Sequence, residues 1–121
     1  MPTVLLAEDD RGLLEAYFLW LDGIDAVSVR TATDGREAKE QVDGDVDLTV
    51  LDRRMPGATG DEVARFVRST NADCTVVIVS AFEPDGSIAA DDYDRYLTKP
   101  VRRERLVTVV RRELGDRTAV D

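Results

Sequence analysis

Val4-Leu5-Leu6-Ala7-Glu8-Asp9-Asp10 opens the chain with an apolar run that stops at three consecutive acids. A run of this length reads as a strand buried on both faces, which in turn implies a parallel sheet. The same punctuation recurs three times. Leu48-Thr49-Val50-Leu51 ends at Asp52, Val76-Val77-Ile78-Val79 at Ser80, and Arg95-Tyr96-Leu97-Thr98 at Lys99-Pro100. Open parallel sheets collect their ligands outside the carboxyl ends of the strands. The acids, one hydroxyl and one of the chain's two lysines therefore converge on a single crevice. Oxygen ligands beside a lysine make a hard-cation site with an anion-binding rim.

Helical patterns fill the intervals. The first strand covers roughly 3–7, and the Asp9-Asp10 region caps a helix that runs to about residue 21. Leu13, Leu14, Tyr17 and Leu21 give that helix a wide apolar stripe, and Gly23 stops it. Val27 and Val29 mark a short outer strand. Asp34-Gly35 reads as a turn, followed by a polar helix that buries little beyond Ala38 and Val42. After Gly44 a third strand runs to Asp52, then Met55-Pro56-Gly57 and Thr59-Gly60 form a loop. Val63, Phe66 and Val67 recur at helical spacing beyond it. Strands end at Ser80 and at about Thr98, and a last helix from Arg103 to Leu114 presents Leu106, Val107, Val110 and Leu114. This alternation predicts one α/β domain over residues 1–121, a three-layer sandwich with a polar tail from about 115.

Bulk properties narrow the function. With 121 residues and 43% hydrophobic content, the chain suits one soluble domain. Its longest apolar stretch, Leu13 to Leu21, is broken by Glu15 and is too short for a bilayer. No secretory pattern opens the chain, so the expectation is a cytoplasmic protein without membrane contact. Cys74 is the only cysteine and reads as a small hydrophobe opening a buried strand. Histidine is absent, which removes the usual zinc ligand and any role as a histidine phosphodonor. A net charge of −9 argues against direct nucleic-acid binding. The Asp-rich, Lys-poor composition resembles that of proteins from salt-loving organisms.

Taken together, Leu6-Ala7-Glu8-Asp9-Asp10, Leu51-Asp52-Arg53-Arg54-Met55-Pro56-Gly57, Val79-Ser80-Ala81 and Tyr96-Leu97-Thr98-Lys99-Pro100 resemble the receiver domain of two-component response regulators. The resemblance covers essentially the whole chain. It implies the flavodoxin-like (CheY-like) fold, a five-stranded parallel sheet in the order 2-1-3-4-5. It also implies a phosphorylation-activated signalling switch rather than a classical enzyme. A sensor histidine kinase would donate a phosphoryl group to Asp52 in an Mg²⁺-dependent reaction, and slow autodephosphorylation would reset the switch. Glu8, Asp9, Asp52 and the Arg54 backbone carbonyl would hold the Mg²⁺, while Asp10 reads as the helix cap. Lys99 would reach the phosphoryl oxygens, pairing with Asp52 before phosphorylation, and the Lys99-Pro100 bond would be cis. Ser80 would donate its hydroxyl to the phosphoryl group. Tyr96 would be the aromatic switch that turns inward. The output would be a downstream protein or a further domain, and a homodimer is compatible with the family.

The chain departs from that pattern between Ser80 and Lys99, where it is a few residues short. Pro84 and Gly86 punctuate this segment, and Ile88 is its only large aliphatic side chain. The expectation is a shortened fourth helix of at most about two turns, poorly anchored and mobile. Three rival readings face the same residues. A flavin module needs a phosphate cradle where Glu8-Asp9-Asp10 stands, and an aspartate-based phosphohydrolase needs an acid where Arg54 stands. A pseudo-receiver, binding proteins without phosphorylation, typically lacks an acid or the lysine, and none is missing here.

Overall fold

A computed structural model describes residues 1–115, so the polar tail beyond them lies outside the described residues. The apolar runs become β1 (Thr3–Ala7), β2 (Ser28–Ala32), β3 (Val46–Asp52), β4 (Thr75–Ser80) and β5 (Arg95–Thr98). They pair in parallel in the order β2-β1-β3-β4-β5. Ala7 lies beside Leu51, Asp52 beside Val79 and Ser80 beside Thr98. This register aligns the ends of four strands, so Glu8, Asp52, Ser80 and Lys99 emerge along one rim.

Alternate strand residues face opposite sides of the sheet, and each side has its own core. On one, Val4, Leu6, Val50 and Val77 meet α1 (Arg11–Asp22) and α4 (Arg103–Leu114) through Leu14, Tyr17, Leu21, Leu106 and Val110. On the other, Leu5, Leu51 and Ile78 meet α2 (Gly35–Gln41) and α3 (Gly60–Thr70) through Ala38, Val63 and Val67. No described helix is long and apolar enough to cross a membrane.

Several local expectations need correction. Val109, not Val107, completes the buried face of α4. Val27 is buried ahead of β2 rather than within it. Asp34-Gly35 is not a turn but the start of α2. The Asp34 carboxylate accepts the Glu37 N–H at 2.7 Å, and Gly35 is the first helical residue. Asp10 and Thr59 cap α1 and α3 in the same way. Replacing Asp34 by alanine is expected to cost about 1 kcal/mol, measured by urea unfolding. An unchanged midpoint would show that this cap is not needed.

The shortened fourth helix is reduced further, to one 3-10 turn at Ala90–Asp92. Four α-helices remain among the described residues, and the last of them is α4. The segment is nevertheless anchored, contrary to expectation. Ile88 is buried in the α2–α3 core. From α3, Arg68 donates to the Asp91 carbonyl at 3.2 Å and to the Asp94 carboxylate at 2.9 Å. With Arg53, just after β3, donating to Asp85 and Ser87, side chains thus supply the tethers that a helix would otherwise provide by packing.

Candidate functional site

Three carboxylates meet at the strand ends. Glu8 follows β1 and is only 2% exposed, whereas its neighbour Asp9 is exposed. Asp52, the last residue of β3, is 7% exposed. One oxygen from each of Glu8, Asp9 and Asp52 lies within 4.8 Å of the others. Lys99 enters from the far side of β4, its Nζ donating to Glu8 Oε1 at 2.9 Å. The same nitrogen stands 3.5 Å from Asp52 Oδ1. Its closer partner is therefore Glu8, not Asp52. Glu8 is the more deeply buried acid, and an unpartnered buried carboxylate is costly. Its second oxygen accepts the Asp10 N–H at 3.2 Å.

This crowding of charge is visible in the protonation equilibria. Burial, followed by the hydrogen bond and negative charge of Glu8, pushes the Asp52 carboxyl up to about 7 against the opposing pull of Lys99. Burial also works against the Lys99 ammonium, yet the Glu8 bond and the Asp52 and Glu8 charges outweigh it and raise its pKa. Burial likewise lifts the Tyr17 phenol, on the α1 side of the site. A cation bound among these oxygens would relieve the repulsion. The donor set is all oxygen, without nitrogen or sulfur, and suits a hard divalent ion.

Ser80 and Tyr96 stand on the rim. The Ser80 Oγ accepts the Phe82 N–H at 3.1 Å, and its carbonyl accepts the Lys99 N–H at 2.7 Å. The Lys99-Pro100 bond is cis, as the resemblance implies. Arg54 is exposed, with its guanidinium 4.4 Å from the centre of the Phe82 ring. The half-buried Tyr96 ring packs beside Tyr93, and its hydroxyl donates to the Phe82 carbonyl at 2.6 Å. Arg53 is the residue that sequence reasoning missed. It is 9% exposed and binds Asp61, Asp85, Ser87 and Tyr96. An arginine next to a strand-end acid was its only sequence signal.

The strand order and the carboxylate-lysine crevice define a doubly wound α/β protein of the flavodoxin-like class, with its site at the carboxyl end of the sheet. Within that class the chain belongs to the response regulator receiver domain family, whose model matches residues 4–111. A "Putative transcriptional regulator" of Haloferax volcanii is 41% identical over 108 residues, covering 89% of this chain and 18% of that protein. Haloferax is a halophile, in keeping with the Asp-rich composition. "Response regulator MprA" of Mycolicibacterium vanbaalenii is 35% identical over 126 residues, covering 100% of this chain and 54% of that protein. The chain thus spans about half or less of these relatives. Among solved structures, the Thermotoga maritima response regulator TrrA in complex with Mg²⁺-BeF superimposes with a TM-score of 0.82 at 27% identity, covering 94% of this chain and 100% of that one. The non-phosphorylated HemR receiver domain of Leptospira biflexa gives 0.83 at 25% identity, covering 95% of each chain.

Proposed function

We propose that residues 1–121 act as one phosphorylation-activated receiver domain with Asp52 as the phosphoacceptor. The observation that carries this reading is the meeting of Glu8, Asp9 and Asp52 within 4.8 Å, with Lys99 Nζ 3.5 Å from Asp52. Glu8, Asp9, Asp52 and the Arg54 carbonyl hold an Mg²⁺ ion. When bound, that ion offsets negative charge on the carboxylates and the incoming phosphoryl group. An Asp52 oxygen attacks the phosphorus of a kinase phosphohistidine, or of a small acyl phosphate. The new P–O bond forms as the bond to the donor breaks. Lys99 exchanges its bond to Glu8 for the phosphoryl oxygens, and the Ser80 hydroxyl turns from Phe82 to donate to them. Phosphorylation adds about two negative charges and three acceptor oxygens at Asp52. Those charges bias a two-state equilibrium read on the far face through Ser80 and the segment that follows it.

The domain is a signalling module whose own chemistry is confined to this transfer and to slow hydrolysis of the acyl phosphate. Its partners are a sensor histidine kinase and a downstream protein or output domain, with a second copy of the chain as a further candidate. The acidic domain makes no direct nucleic-acid contact itself, and it works in the cytoplasm. The test is intact mass after incubation with acetyl phosphate, with Mg²⁺ or with a chelator. One added phosphoryl group is expected with Mg²⁺ and none with the chelator. Absence of any adduct at both low and molar salt would favour the pseudo-receiver instead.

A further inference from the structure

Arg53 carries a charge into the interior directly beside Asp52 yet takes no part in the transfer. Its Nε and Nη2 grip the two oxygens of Asp61, in the first turn of α3, at 2.8 Å each. Such two-point pairing fixes the plane of the guanidinium. The same Nη2 reaches Ser87 Oγ at 2.7 Å and Asp85 Oδ1 at 3.2 Å, in the segment that replaces the fourth helix. Nη1 is thereby aimed at the Tyr96 hydroxyl, 3.2 Å away. That hydroxyl spends its single proton on the Phe82 carbonyl, so Arg53 occupies its acceptor side. None of these partners is Glu8, Asp9, Asp52 or Lys99.

We propose that Arg53 is a positioning residue that holds Tyr96 turned inward through bonds independent of the phosphoacceptor. Turning Tyr96 outward would strip Arg53 Nη1 and the Phe82 carbonyl of their partner and part the ring from Tyr93. With that ring fixed, phosphorylation acts on Ser80 and the 81–87 segment while Tyr96 stays in place. This second half rests on the proposed role of Asp52, whereas the first half does not.

Fluorine NMR of the chain labelled with 3-fluorotyrosine reads it directly. Three tyrosines give three resonances, assigned through Tyr17→Phe, Tyr93→Phe and Tyr96→Phe. In the unmodified protein, Arg53→Lys, which keeps the charge and loses the fork, is expected to shift or split the Tyr96 resonance. Arg53→Met should do the same, with the outward population raised about tenfold or more, as the loss of a charge-assisted bond implies. A Tyr96 resonance identical to wild type in both variants overturns the proposal. Should both fail to fold, Tyr96→Phe decides by amide exchange. About tenfold faster exchange across 82–87 supports the tether, and unchanged exchange refutes it. Adding acetyl phosphate and Mg²⁺ to wild type should leave the Tyr96 resonance in place, and a full shift on phosphorylation overturns the second half. Intact mass of that sample shows separately whether Asp52 was modified, so a missing adduct counts against the phosphoacceptor role and not against Arg53.

Discussion

Asp52→Asn is expected to abolish phosphoryl incorporation entirely while making the metal-free protein more stable at pH 8. The first effect follows from the role proposed for Asp52 as nucleophile: an amide oxygen cannot replace the carboxylate in a displacement at phosphorus. The second follows from the crowded acids. Folding raises the Asp52 carboxyl from 3.8 to about 7, so between these values the folded chain holds a proton that the unfolded chain has released. The contribution of this group to stability is then fully present below about pH 4 and is lost as pH rises through 7. The span of about three pH units corresponds to roughly 4 kcal/mol at about 1.4 kcal/mol each. Asparagine removes this dependence and is expected to recover about 1–3 kcal/mol at pH 8, after allowance for its own burial. Urea unfolding at pH 5 and pH 8 in a chelator tests both halves. The wild type should weaken across that interval and the variant should not. With saturating Mg²⁺ the ranking at pH 8 should narrow or invert, because the ion stabilises only the chain that binds it. Parallel pH profiles for the two proteins would sink this account.

Gly60→Ala is the second large effect expected. A Cβ at Gly60 would lie 2.3 Å from the Asp52 carbonyl oxygen and 2.8 Å from Arg53 Cα. Both obstacles are backbone, and they belong to the strand end that presents Asp52, the proposed acceptor. The obstruction is steric, since α3 places Gly60 in ordinary helical conformation. Relief requires α3 to back away from β3, at a cost of about 3 kcal/mol or more. Displacing the Asp52 backbone should also slow phosphorylation by acetyl phosphate about tenfold or more, since transfer depends on near-ideal alignment. Gly44→Ala is the control, because nothing lies within 4 Å of its added methyl. Equal unfolding midpoints for the Gly60 and Gly44 variants would contradict the packing argument.

The rim of the site was legible because it depends on local signals. Apolar runs fix where the strands end, and the residues at those ends, Glu8, Asp52, Ser80 and Lys99, come together once the strands run parallel. The pairing of Lys99 with Asp52 was legible, but its closer bond to Glu8 was not. Glu8 and Asp52 are equivalent in charge, and only their depth in the folded chain decides between them. Asp34-Gly35 misled because turns and helix starts favour the same residues. Val107 and Val109 differ only in helix phase, which the neighbouring α1 settles. Arg53 was the furthest from reach. Its partners stand eight to 43 positions away and come from three separate stretches of chain.

The replacement of a helix by side-chain tethers also bears on the order of assembly. A helix can form on its own hydrogen bonds before it docks, whereas the stretch from Ala81 to Asp94 has only one 3-10 turn of its own. The arginines that hold it, Arg53 and Arg68, belong to β3–α3 and gain fixed positions only when that unit has packed. The stretch is therefore expected to come to rest late in folding and to open ahead of the sheet it borders, an order that amide exchange would read.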